Sequence, residues 1–260
     1  MKYCSYILLL LMIACNNQQL KTESFTPASN TIAPVTGDEP NNEICWAGTL
    51  KGKTPIFIHY KRDKELLIGQ ITYLNTKDKL PITLLGTIEA DKSYRLLEFE
   101  SSGNITGVIT GKPAGSIFNG DWFSPKTRKE LTLQLIKKDT IINPTAADVA
   151  LQDIFGRYHY QYSEAGYQGD LDITKLAGDK VVFGISSVTG APARNIAQID
   201  DDTISLKSTH FIYKVPGTDS CEFSVQFYKG FAYIKYTKGF CDGQFGMNAS
   251  IDGVFLKAAK

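Results

Sequence analysis

Three histidines, His59, His159 and His210, are the side chains of this sequence best suited to proton transfer or metal binding. Each stands alone between apolar or aromatic residues of a strand-like run. A zinc site needs three or four ligands, usually announced by His-x-His or by His-Glu-x-x-His on a helix. Neither pattern occurs, and no metal is expected. A serine nucleophile on a strand-to-helix turn carries Gly-x-Ser-x-Gly. Ser186, in Gly184-Ile185-Ser186-Ser187-Val188, lacks the second glycine. Asp200-Asp201-Asp202 is the densest acidic run. Calcium loops space their carboxylates and include a glycine; this run is contiguous and reads as a hairpin turn between strands at 197–199 and 203–206. Glu98 and Glu100 share one strand face by period two. They would serve as paired carboxylates for acid–base work, but two exposed acids is the commoner meaning of that spacing. No catalytic residue emerges, and the chain reads as a non-enzyme with no cofactor.

Aromatic residues are the stronger lead. Fourteen of them crowd positions 158–240. Tyr158, Tyr160 and Tyr162 alternate with Arg157, His159 and Gln161, so the tyrosines share one strand face. Facing outward, they are candidate binding aromatics for a sugar or a protein. Facing inward, they are core, which is the default for alternation of this kind. A barrel interior would give a third possibility, a small-ligand cavity.

The net charge is +1, but it is spread unevenly. Between residues 45 and 138 there are 15 Lys and Arg against 9 Asp and Glu; from 153 to 260 there are 11 against 12. The excess in the first half would favour an anionic surface or partner, but a solvated sheet face rich in lysine is the commoner meaning. No basic cluster with interleaved aromatics is present, and nucleic acid is not an expected partner.

The first fifteen residues set the compartment. Lys2 precedes the apolar run Ile7-Leu8-Leu9-Leu10-Leu11-Met12-Ile13, which is too short to span a bilayer but suits an export signal. Met12-Ile13-Ala14-Cys15 resembles the lipobox of bacterial lipoproteins, with Met12 where that pattern usually has leucine. The resemblance implies cleavage before Cys15, lipid (palmitate) on Cys15 and attachment to a membrane through that anchor. Asn16, where some sorting rules read Asp as inner-membrane retention, points to the cell outer membrane. The expected location is therefore the cell envelope, facing either the periplasm or the surface.

Five cysteines follow from that placement. Cys4 leaves with the signal and Cys15 takes the lipid. Cys221 and Cys241 lie in one C-terminal stretch of strand-like sequence in an oxidising compartment, and a disulfide between them is expected. Cys45 is left over. It adjoins Trp46 in the first strand pattern and reads as buried, with no basic neighbour in sequence to activate it.

The chain then divides by pattern. Residues 1–14 are the signal peptide. Residues 15–43, rich in Asn, Gln, Thr and Pro without an apolar period, form a flexible tether. Residues 44–138 form a first β domain of about eight short strands, separated by turn chemistry such as Asn75-Thr76-Lys77-Asp78 and Ser101-Ser102-Gly103-Asn104. Residues 139–152 read as a linker containing a short helix, with Pro144 near its start. Residues 153–260 form a second β domain of eight or nine strands, with Lys229-Gly230 as a two-residue hairpin signal. The fold class is all-β, with two tandem antiparallel meander or barrel-like units joined by the helical linker. Closing eight strands into a barrel removes exposed edges.

Two further resemblances touch the body of the chain. Cys221…Cys241-Asp242-Gly243-x-Phe245-Gly246…Gly253-Val254-Phe255 resembles the C-terminal ends of small exported bacterial β domains of unknown function. Residues 83–86, 96–98, 106–107 and 120–122 resemble another such domain. Neither implies an activity. The expected function is that of a membrane-anchored lipoprotein acting as a non-enzymatic binding module, its partner an envelope protein or glycan. The alternatives are an inhibitor or immunity-type lipoprotein that blocks an envelope-attacking hydrolase, and a small-ligand carrier with a barrel cavity.

Overall fold

The computed structural model describes residues 43–142, 147–241 and 243–258. The expected signal peptide, Cys15, nearly all of the expected tether and the start of the expected linker helix lie outside these residues. The described residues belong to one compact unit. They form two eight-stranded antiparallel sheets, and none of their helices is long and apolar enough to cross a membrane.

The first sheet runs through β1 (Ile44–Leu50), β2 (Thr54–Asp63), β3 (Leu66–Tyr73), β4 (Ile82–Ile88), β5 (Tyr94–Phe99), β6 (Ile105–Ala114), β7 (Ile117–Phe123) and β8 (Glu130–Lys138). Each strand pairs with its sequence neighbour. β1 then pairs with β8, from Cys45 opposite Lys138 to Leu50 opposite Leu133, and the barrel closes. Alternation sends Trp46, Ile56, Ile58, Tyr60, Leu67, Leu84, Leu96, Ile109 and Phe118 into one packed core. The polar tips there are matched: the Trp46 indole donates to the Tyr60 hydroxyl at 3.0 Å.

The second sheet contains β9 (Gly156–Gln161), β10 (Gln168–Lys175), β11 (Lys180–Val188), β12 (Ile196–Ser205), β13 (His210–Lys214), β14 (Glu222–Tyr228), β15 (Phe231–Lys238) and β16 (Gly253–Lys257). Their order is β12-β11-β10-β9-β16-β15-β14-β13. β12 and β13 are therefore the two edges although they are consecutive in the chain. The sheet curls until side chains join those edges. Phe183 of β11 packs on Phe211 and Tyr213 of β13 with ring centroids 4.9 and 5.0 Å apart. The Tyr213 hydroxyl donates to Asp202 of β12 at 2.6 Å. Cys221 and Cys241 are joined and tie together the open end of the β14–β15 hairpin. A loop of that length limits the unfolded chain by roughly 3 kcal/mol in the chain-entropy account.

Two sequence expectations change. Asp200-Asp201-Asp202 is not a turn: it lies inside β12, where Asp200 and Asp201 stand opposite the single Gly184 of β11 as a bulge. The absent side chain of Gly184 leaves the space that the Asp201 carboxylate fills. The linker, expected to hold a short helix, shows among its described residues one 3₁₀ turn that starts at its end, Leu151–Asp153. Ala150 before it supplies no capping oxygen, and so short a segment cannot offset helix nucleation. The surrounding chain is held instead by tertiary bonds. The Lys229 amide donates to the Ala147 carbonyl at 2.8 Å. The Tyr158 hydroxyl donates to the Ile154 carbonyl at 2.5 Å.

The outer face of the first barrel is also covered along β3 to β6. Leu66, Ile68, Leu85, Leu97, Phe99, Ile105 and Val108 point away from the barrel core and join the apolar cluster of the second sheet, with Phe231, Val254 and Leu256. Polar contacts bound this seam. The Tyr228 hydroxyl donates to Asp63 at 2.9 Å, Lys235 pairs with Glu65 at 2.6 Å, and Arg95 donates to the Tyr162 hydroxyl at 2.9 Å. The Gln161 amide donates to the Gly103 carbonyl at 3.1 Å. Gly103 has φ +92°, and a Cβ there would meet the His159 carbonyl at 2.8 Å, so glycine permits both the turn and the approach.

Both tryptophans, Trp46 and Trp122, belong to the first barrel, and they can report on damage made in the second sheet. Phe231, 2% exposed, stacks on Tyr228 at the seam with ring centroids 4.7 Å apart. Phe231→Ala should destabilise the protein by about 3–5 kcal/mol. Urea unfolding followed by tryptophan fluorescence should show the loss; an unchanged tryptophan transition would mean that the two sheets unfold independently.

Candidate functional site

The first barrel is filled through its middle but open at one mouth. A cavity of about 500 Å³ lies there, lined by Tyr73, Ile82, Thr83, Glu98, Phe99, Glu100, Thr106 and Trp122 among others. Its size falls in the range of small-molecule sites.

Glu98 is the unusual member. It follows Tyr94 and Leu96 on the inward face of β5, and only 1% of it is exposed. Its Oε1 accepts hydrogen bonds from the Trp122 indole at 2.7 Å and the Tyr73 hydroxyl at 2.9 Å. Its Oε2 has one longer contact, from the Thr106 hydroxyl at 3.4 Å. Gly107, directly opposite Glu98 on β6, makes the cluster possible. A Cβ at Gly107 would come within 2.3 Å of the Trp122 nitrogen and 2.6 Å of the Glu98 carboxyl. Burial pushes the Glu98 carboxyl above its ordinary value of 4.5, and the three donors oppose this without cancelling it. Burial and the neighbouring Glu98 likewise push the Tyr73 hydroxyl well above the usual tyrosine range.

Glu98 and Glu100 are therefore not two exposed acids. A register shift between Glu98 and Phe99 breaks the alternation after Glu98. Glu98 points into the barrel end, while Glu100 stands exposed at the rim beyond the strand.

The candidate binding aromatics lie elsewhere. Tyr158 is fully buried and Tyr160 is 9% exposed, packed on Phe255 with centroids 4.9 Å apart. Tyr162 is partly buried, with the Arg95 guanidinium 6.0 Å from its ring centre. Their shared face turns toward the interior of the second sheet and its seam, so they form core, not an outward row.

The histidines stay apart. His159 Nδ1 bonds to Asp170 at 2.8 Å, and Arg157 reaches the same oxygen at 2.9 Å. The bond to Asp170 raises the histidine above its ordinary range. Burial acts against ionisation of Asp170, but the two cationic partners together hold its carboxyl below the usual range. His210 is exposed on β13. His59 is buried, with Nδ1 on the Glu43 carboxylate. Cys45, expected buried, is a buried free thiol. Contrary to its sequence surroundings, a basic residue is near: His59 stands directly opposite it on β2. The thiol nevertheless donates to the Thr140 carbonyl at 3.3 Å, and burial together with the Glu43 charge pushes it up. Such a thiol stays protonated and inert. No cluster of three or more metal-ligating side chains occurs among the described residues.

Part of the mouth was readable in advance. An acid inside Leu96-Leu97-Glu98-Phe99 at the inward period is a signal for a buried carboxylate. Tyr73 and Trp122 come from strands far away in sequence, and nothing local announces that they meet Glu98.

Folded Glu98 holds its proton more tightly than the unfolded chain does. Its contribution to stability is complete below about pH 4.5 and is lost as pH rises through the folded value. Glu98→Gln should remove that loss. Urea midpoints of the two proteins, compared from about pH 4 to neutrality, should diverge in favour of the glutamine variant as pH rises; parallel profiles would show that Glu98 is not raised. No protein-family model, curated protein or solved structure matches this chain.

Proposed function

We propose that this protein is an exported lipoprotein, anchored at the outer membrane through lipid on Cys15, that acts as a non-enzymatic binding module of the cell envelope with the mouth of its first barrel as the binding site. The lipobox-like Met12-Ile13-Ala14-Cys15 supports the anchor. The observation that carries the binding role is the cavity floored by Glu98, whose carboxyl is held in place by Tyr73 and Trp122. Pre-set polar groups at the base of a concave site fix a ligand's orientation.

Binding suits this mouth better than catalysis. Its titratable side chains are Glu98, Glu100 and Tyr73, and the Tyr73 hydroxyl is committed to Glu98. A deep apolar cargo is disfavoured, because Trp46, Tyr60 and Phe118 occupy the barrel interior. The carrier idea contracts to a ligand seated at the rim.

Metabolic palmitate labelling should mark the wild-type chain and fail on Cys15→Ala; label on both would remove the anchor. Affinity capture from detergent-solubilised envelopes should then recover a bound species that Glu98→Gln loses. Equal recovery by both proteins would move the binding site away from this mouth, and recovery of one hydrolase would point to the inhibitor role instead.

A further inference from the structure

We propose that the mouth of the first barrel binds a small protonated amine, whose ammonium group pairs with Glu98 between the aromatic side chains of Tyr73 and Trp122. The inference rests on the binding role assigned to this mouth and names the chemistry of its ligand.

The charge distribution carries it first. Residues 45–138 have 15 basic against 9 acidic side chains, yet the cavity is lined by two carboxylates, Glu98 and Glu100, and by no lysine, arginine or histidine. A negative mouth on a basic barrel selects for cations and repels anions. None of the ion pairs formed among the described residues involves Glu98. A carboxylate removed from water without a counter-charge is costly, and an incoming cation supplies what the protein itself does not.

Geometry carries it second. Oε1 is saturated by Trp122 and Tyr73, while Oε2 has only the 3.4 Å contact from Thr106. That oxygen retains capacity for the N–H donors of an ammonium group. Tyr73 and Trp122 add π systems within the same cavity, which favour a cation where water is partly excluded. Gly107 keeps the carboxyl and the indole together, since any side chain there would part them. The raised carboxyl fits the same account: a bound ammonium stabilises the ionised form, so binding strengthens as pH rises through the titration of Glu98.

The test uses the full-length lipidated chain in detergent and three probes of equal length: butylamine, butanol and butyrate. The protein has two tryptophans, and the indole ¹⁵N signal of Trp122, assigned by its loss in Trp122→Phe, reports on the mouth. Butylamine should shift that signal saturably and at least tenfold more tightly than butanol, with butyrate weaker still. Glu98→Gln should abolish the preference for the amine. The pH dependence of butylamine binding to the wild type gives the same answer without a variant, should Glu98→Gln fail to fold. Equal binding of butanol, or tighter binding of butyrate, would overturn the amine and leave the binding role of the mouth intact. No shift with any probe would also overturn the amine; the binding role falls with it only if envelope capture is likewise indifferent to Glu98→Gln.

Discussion

Everything in this molecule hangs on a few strands that bury both faces. In β3, Leu67 points into the first barrel while Leu66 and Ile68 point into the seam with the second sheet. Leu84 and Leu85, Leu96 and Leu97, and Ile109 and Val108 repeat the arrangement on β4, β5 and β6. A strand covered on one side alternates apolar and polar residues; one covered on both sides reads as an unbroken apolar run. The barrel therefore has a wet half and a dry half that the second sheet requires. Removing the second sheet would expose the apolar patch of the first, and two barrels folded separately would each carry a surface unfit for water.

That dry flank also explains how a carboxyl can sit where Glu98 does. β5 is fixed from outside by the second sheet and from inside by the barrel core, so its last inward residue has little freedom to turn back to solvent. The cost of burying the carboxyl is offset in part by donors from β3, β6 and β7. Two of these are aromatic, rigid and already packed. A binding group held in this way loses little freedom when a ligand arrives, which is what pre-organisation means in energetic terms.

The sequence disclosed the number of strands in the first half, the turns between them and the Cys221–Cys241 pair, because each depends on neighbours in the chain. Period two and turn residues such as Asn75-Thr76 are local signals. What escaped was non-local. Asp200-Asp201-Asp202 looks like a turn until Gly184, on another strand, is seen to make room for it. Ala147 and Leu151 look helical until Lys229 and Tyr158 claim the backbone around them. Tyr158 and Tyr160 offered an inward reading as the default and an outward one as the alternative, and the curl of the second sheet selects the inward one. The partnership of Glu98 with Trp122 depends on the barrel's closure, and no window of sequence contains both.

The two sheets close by different means, and this difference has a mechanical consequence. The first barrel is a continuous ring of backbone hydrogen bonds, so its girth is set by covalent geometry and strand tilt. The second is buttoned at β12 and β13 by the Tyr213–Asp202 hydroxyl bond and by the rings of Phe183 and Phe211. Side chains change rotamer far faster and at lower cost than a ladder of amides comes apart. Under load or thermal agitation the first unit behaves as a hoop and the second as a cuff: one keeps its bore, while the other gapes along a single slit before any strand is lost.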